Sequence, residues 1–174
     1  MQMGESDETS RATSFTELYR SHSREIYQFA LYLSGDPAMA EDIVSETFLR
    51  VWDSSATLRM ETVRGYLLTI ARNVFLHDLR RKRKYYPLED SHTEDSTVVR
   101  EFECKDSLRD ALSALQTLPE IDRAALLLHA EDGVSYEEIA RILGLSLSAV
   151  KVKIYRTRLK LAEHRNKGAV RANN

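Results

Sequence analysis

Apolar residues recur every three or four positions through most of this chain, the spacing that gathers side chains onto one face of an α-helix. Phe15, Leu18, Tyr19, Ile26, Phe29, Ala30 and Leu33 form the first such stripe, and Gly35 stops it. Asp36 followed by Pro37 marks the next start, an N-cap ahead of proline at the first helical position. Ala40, Ile43, Val44, Thr47, Phe48 and Val51 carry that period on to Trp52. After a polar stretch from Asp53 to Glu61, a third helix is expected from Val63 to about Lys84. Tyr66, Leu67, Ile70, Ala71, Val74, Phe75 and Leu79 form its apolar half, and Arg80, Arg81, Lys82, Arg83 and Lys84 close it with unbroken positive charge.

The period disappears from Tyr85 to about Cys104, YYPLEDSHTEDSTVVREFEC, which contains Pro87 and many acids, as an exposed linker would. It resumes near Asp106 with Leu108, Leu112 and Leu115, turns from Thr117 to Glu120 around Pro119, and runs through Ile121, Ala124, Leu127 and Leu128 to Asp132 and Gly133. The leader to about Thr13 is rich in Ser, Thr and Glu and has too few apolar groups to fold alone, so it is expected to be disordered. The fold class is therefore all-α, with two small helical domains joined by a flexible linker. The expected boundaries are a tail over 1–13, a first domain over 14–84, a linker over 85–105, a second domain over 106–165 and a tail over 166–174.

The run from Ser135 to Leu161, SYEEIARILGLSLSAVKVKIYRTRLKL, reads as two short helices around a tight turn. Ser135 and Glu138 have capping-box spacing, Ile139, Ile142 and Leu143 form an apolar stripe, and Gly144 can adopt the conformation that ends the helix. Ser146 is placed to cap the second helix. Val150, Ile154, Thr157 and Leu161 share one face of it, leaving Lys151, Tyr155, Arg156 and Arg158 to point elsewhere. The helices must cross closely, and the residues placed for that contact are Ala140, Gly144 and Val150. This is a helix-turn-helix with a basic second helix, whose outer residues can enter a major groove while its cations meet phosphates.

Charge strengthens that reading. The whole chain has a net charge of −2, yet from Lys151 to Arg171 there are eight Lys or Arg against the single acid Glu163. The 174 residues, 43% of them hydrophobic, suffice for two small cores, and six Gly and three Pro suit a helical protein. No apolar run approaches the ~20 residues of a membrane helix, and MQMGESDETSRATS lacks the core of a signal peptide, so cytoplasm is the expected location. Cys104 is the only cysteine, which excludes an internal disulfide and a thiolate metal cluster within one chain. His22, His77, His92, His129 and His164 are dispersed, with no H-E-x-x-H, Gly-rich phosphate loop or serine elbow. No catalytic residue, metal site or cofactor is expected.

Three phrases, in order, resemble the extracytoplasmic function (ECF) group of bacterial sigma factors in the sigma-70 family, over almost everything from Phe15 to about His164. AEDIVSETFLRVW (Ala40 to Trp52) is similar to the helix that grips the polymerase core, RGYLLTIARNVFLHDLRRKRK (Arg64 to Lys84) to the helix that reads and melts the −10 element, and LPEIDRAALLLHAEDGVSYEEIARILGLSLSAVKVKIYRTRL (Leu118 to Leu159) to the −35 reader. The resemblance implies core-polymerase contacts, on the β and β′ subunits, at Glu41, Asp42, Ser45, Glu46, Leu49 and Arg50. It implies −10 contacts at Arg72, Asn73, Arg80, Arg81, Lys82 and Arg83, with a flipped base captured by the loop from Ser54 to Glu61. It implies −35 contacts at Ser146, Ser148, Ala149, Lys151, Val152, Tyr155, Arg156 and Arg158. Many relatives carry tryptophan where this chain has Tyr66, which keeps the aromatic core role.

The implied partners are core RNA polymerase, double- and single-stranded promoter DNA and an anti-sigma factor, with a monomer expected when the chain is free. Two other readings remain open from the residues alone. A regulator binding an operator as a dimer would use the helix-turn-helix but leaves the first domain unexplained. A helical adaptor that binds only proteins leaves the positive C-terminal field idle. Retention on heparin and its salt dependence separate the adaptor from the other two.

Overall fold

The computed structural model describes residues 3–54, 63–85, 106–130 and 134–172, and among these every regular element is a helix. In chain order they are α1 (Met3–Ser34), α2 (Pro37–Asp53), α3 (Val63–Tyr85), α4 (Asp106–Gln116), α5 (Glu120–Ala130), α6 (Tyr136–Leu143) and α7 (Leu147–Ala172). Helices α1, α2 and α3 pack on one another to form the first domain, and α5, α6 and α7 do the same in the second. The expected linker and the turn at Asp132 and Gly133 lie outside the described residues.

Local chemistry accounts for the starts and stops. Gly35, at φ 74°, ends α1, and the Asp36 carboxylate accepts from the Ala38 N–H at 2.9 Å and the Met39 N–H at 3.3 Å to begin α2. Ile26, Phe29, Ala30 and Leu33 of α1 are buried against Ala40, Ile43, Val44 and Phe48 of α2 and Leu67, Leu68, Ala71, Val74 and Phe75 of α3. Edge-to-face rings extend this core at one end: Phe15 lies 5.0 Å from Trp52, and Tyr19 lies 4.8 Å from Phe48.

Among the described residues α1 begins at Met3, inside the stretch read from composition as a tail. At the other end, α7 runs through the expected tail to Ala172.

The domains also meet directly. Helix α5 packs against α1, α4 against α1 and α6 against α3, and the buried apolar residues of both domains form one continuous cluster. Where α4 meets α1, a Cβ added to Gly35 would fall 2.8 Å from the Gln116 side chain, so this glycine serves both the turn and the approach of the second domain.

Candidate nucleic-acid interface

The helix-turn-helix forms as the capping residues require. The Ser135 hydroxyl accepts from the Glu138 N–H at 3.1 Å, Gly144 ends α6 at φ 65°, and Ser146 caps α7 by accepting from the Ala149 N–H at 3.2 Å. The expectation that Gly144 is small for the sake of the helix crossing does not hold. A Cβ there would meet nothing within 4 Å, and the left-handed backbone is what calls for glycine. Val150, at 0% exposure, fills the crossing instead, with Ile154 and Thr157 continuing the buried face.

The opposite face of α7 carries Ser146, Ser148, Lys151, Val152, Tyr155, Arg156 and Arg158 exposed, with Ala149 half-buried at its edge. Val152, Tyr155 and Leu159 make an exposed apolar line among the cations. The Lys151 ammonium lies 5.9 Å from the centre of the Tyr136 ring, which steadies the lysine while leaving it in solvent. Lys153 is turned inward to Asp122 of α5 at 2.6 Å, so it braces the domain rather than adding to the outer field. Burial, and then the charge of Arg158, hold the His129 imidazole below its ordinary value of 6.5, and its Nε2 lies 3.4 Å from the Tyr136 hydroxyl.

Helix α3 presents a second basic patch. Arg80, Arg81, Lys82 and Lys84 are exposed, with Arg81 3.8 Å from Asp78; the Arg83 side chain lies outside the described residues. Asn73 is exposed two turns before them, but Arg72 is not. Its Nε and Nη2 donate to the two carboxylate oxygens of Glu120, at 3.0 and 3.2 Å, and the residue is buried. Of the expected base-capturing loop only Ser54 is described, and residues 55–61 lie outside. Ser54 borders an open groove of about 510 Å³ that is also lined by Phe15, Leu18, His22, Trp52 and Val63.

On α2 the structure gathers the expected docking residues on one outer face: Glu41, Asp42, Ser45, Leu49 and Arg50 are exposed and Glu46 half-buried. Leu49 is 58% exposed, an apolar residue set among charges, and Arg50 Nε donates to Glu46 at 2.7 Å. Sequence reasoning missed Glu120 and Gln116. The only local sign of Glu120 was an acid after Pro119 in the first turn of a helix, which reads as favourable placement at the positive end of the helix dipole.

Two exposed basic helix surfaces, one on a helix-turn-helix and one on a three-helix domain whose α2 carries an exposed acidic strip, are the features that call for comparison with known proteins. Residues 18–85 match the family described as Sigma-70 region 2, and residues 108–161 match Sigma-70, region 4. The chain is 35% identical over 166 residues to the ECF RNA polymerase sigma factor SigE of Mycolicibacterium smegmatis, covering 87% of this chain and 61% of that protein. It is 30% identical to the RNA polymerase sigma factor YlaC of Bacillus subtilis, covering 88% of this chain and 93% of that one. Among solved structures it is similar to the sigma factor RpoE of Bartonella quintana in complex with the anti-sigma factor NepR, with TM-score 0.69, 26% identity, and 86% and 95% of the two chains covered. CnrH in complex with the cytosolic domain of CnrY gives TM-score 0.68 and 26% identity, with 90% of each chain covered. The chain belongs to the ECF group of sigma-70 RNA polymerase sigma factors.

Proposed function

We propose that the two domains divide promoter recognition in the order the family places them, residues 14–84 acting as region 2 and 106–165 as region 4. The exposed basic face of α7, braced by buried Val150, Ile154 and Thr157, is the observation that carries this reading. On it, Ser146, Ser148, Ala149, Lys151, Val152, Tyr155, Arg156 and Arg158 read the −35 element in the major groove. Lys151 and Arg156 are the principal contacts. Arg80 to Arg83 meet the phosphates of the −10 strand, and Arg72 and Asn73 contact that strand as well.

Melting needs no catalytic group. An extruded base is held by stacking and by hydrogen bonds to its edge, while cations keep the separated strand from reclosing. The aromatic groove beside Ser54 supports base capture by the loop from Ser54 to Glu61. The protein is accordingly a non-catalytic subunit without metal or cofactor, working in the cytoplasm and monomeric when free. Among the described residues no helix is long and apolar enough to cross a membrane. Control by an anti-sigma factor is supported by the similarity to the RpoE structure, which was solved with the anti-sigma factor NepR.

The outer face of α2 meets core polymerase through Glu41, Asp42, Ser45, Glu46, Leu49 and Arg50, its acids suiting a basic partner surface. Asp42→Arg places a like charge at that contact, where mismatched charge costs several kcal/mol, so core affinity is expected to fall about tenfold or more. Because Asp42 is exposed, folding and the affinity of the full chain for DNA are expected to stay at wild-type levels. Titration of labelled core polymerase with wild type and variant tests this, and equal affinities would remove α2 from the core interface.

A further inference from the structure

We propose that Glu120 is a built-in latch that withholds Arg72 from DNA until the two domains separate. The inference rests on the reading of Arg72 as a −10 contact. As the helices stand, Arg72 cannot serve there: it is 8% exposed, and both ends of its guanidinium fork are taken by the Glu120 carboxylate. A carboxylate gripped in this bidentate way offers arginine the same planar pair of acceptors as a phosphate. Glu120 therefore stands in for the nucleic acid within the chain itself.

The latch has a second point that carries no charge across the interface. Gln116, at the end of α4, donates from Nε2 to the Tyr32 carbonyl of α1 at 3.2 Å and packs over Gly35. Its other amide atom accepts from the buried Arg123, which also donates to the Leu115 carbonyl at 3.3 Å. Burial pulls the Arg123 guanidinium below its ordinary value and the Glu120 charge opposes this, so Glu120 supports one arginine on its own helix and one across the interface. The chain is similar over 86% of its length to the RpoE structure solved with the anti-sigma factor NepR and over 90% to the CnrH structure solved with the cytosolic domain of CnrY. Beside the apolar cluster the two domains share, this chain's Arg72, Glu120 and Gln116 make polar bonds from one domain to the other.

Opening is sterically permitted. Residues 86–105 separate α3 from α4, and 20 residues at roughly 3.3–3.6 Å each reach up to about 70 Å. When only the open fraction can bind, apparent affinity is lowered by that fraction, so breaking the latch restores affinity without any new contact.

The test uses the full chain in four forms: wild type, Glu120→Gln, Gln116→Ala and the double variant Arg72→Ala/Glu120→Gln. Far-ultraviolet circular dichroism checks helix content, small-angle scattering gives the radius of gyration, and fluorescence anisotropy gives affinity for a short labelled single-stranded DNA of mixed sequence. Glu120→Gln and Gln116→Ala, with helix content kept, are expected to enlarge the radius and to raise DNA affinity about threefold or more. Unchanged radius and affinity in both would overturn the latch, and so would expansion with no gain in affinity. Arg72→Ala/Glu120→Gln is expected to expand yet lose the gain. If it keeps the gain, Arg72 is not the group withheld and the latch on Arg72 is overturned together with its assignment to DNA, whereas the domain closure shown by the radius is not.

Discussion

Replacing Lys151 and Arg156 together with alanine is expected to abolish most −35-dependent transcription while leaving core polymerase binding at the wild-type level. Both side chains are exposed on the face of α7 opposite Val150 and Ile154, so their removal opens no cavity and leaves no buried group unpaired. Each base contact of this kind contributes roughly 1–3 kcal/mol of discrimination, so the pair together are expected to cost tenfold at the least. Salt then separates the two roles open to each side chain. Removing a residue that meets phosphate flattens the dependence of log K on log salt by about 0.9 for each phosphate no longer neutralised, whereas removing one that reads a base edge relaxes sequence preference instead. Gel-shift titrations at several salt concentrations, on a matched and a scrambled −35 site, report both quantities. Wild-type affinity and selectivity in the double variant would remove this face of α7 from promoter recognition.

The largest effect on stability is expected from Phe29→Ala. Phe29 is 1% exposed in the core shared by α1, α2 and α3, so truncation loses the transfer energy of the ring and leaves a hole lined by apolar neighbours. Such changes cost about 3–5 kcal/mol, a large fraction of the ~5–15 kcal/mol that holds a typical domain folded. For a chain of this size the melting temperature is expected to fall by roughly 6–20 °C, measured by circular dichroism at 222 nm. A fall of one or two degrees would mean that the three helices do not close around this ring.

What could be read in the sequence was local or periodic. Asp36 before Pro37, Ser135 three residues before Glu138, and Gly144 after Leu143 act on backbone groups within a turn of themselves, and all three mark the helix ends observed. The buried and exposed faces of α7 followed from three- and four-residue spacing in the same way. What lay hidden depends on residues far apart in the chain. Arg72 and Glu120 are separated by 48 positions, and nothing in the neighbourhood of either signals the other. An exposed arginine and an ion-paired one look identical as letters, so Arg72 read as surface. Gly35 shows the same limit: its role as a helix stop was visible, but its approach to Gln116 required the second domain to be in place.

The division of labour between α3 and α7 is tested most directly by run-off transcription with purified bacterial core polymerase and a fragmented genomic template, with and without the full-length chain. Discrete transcripts are expected that appear only when the chain is present and whose start sites share two upstream elements. DNA binding by the chain with no such transcripts, in a preparation free of any inhibitor, would contradict that division and favour a regulator that uses the helix-turn-helix alone.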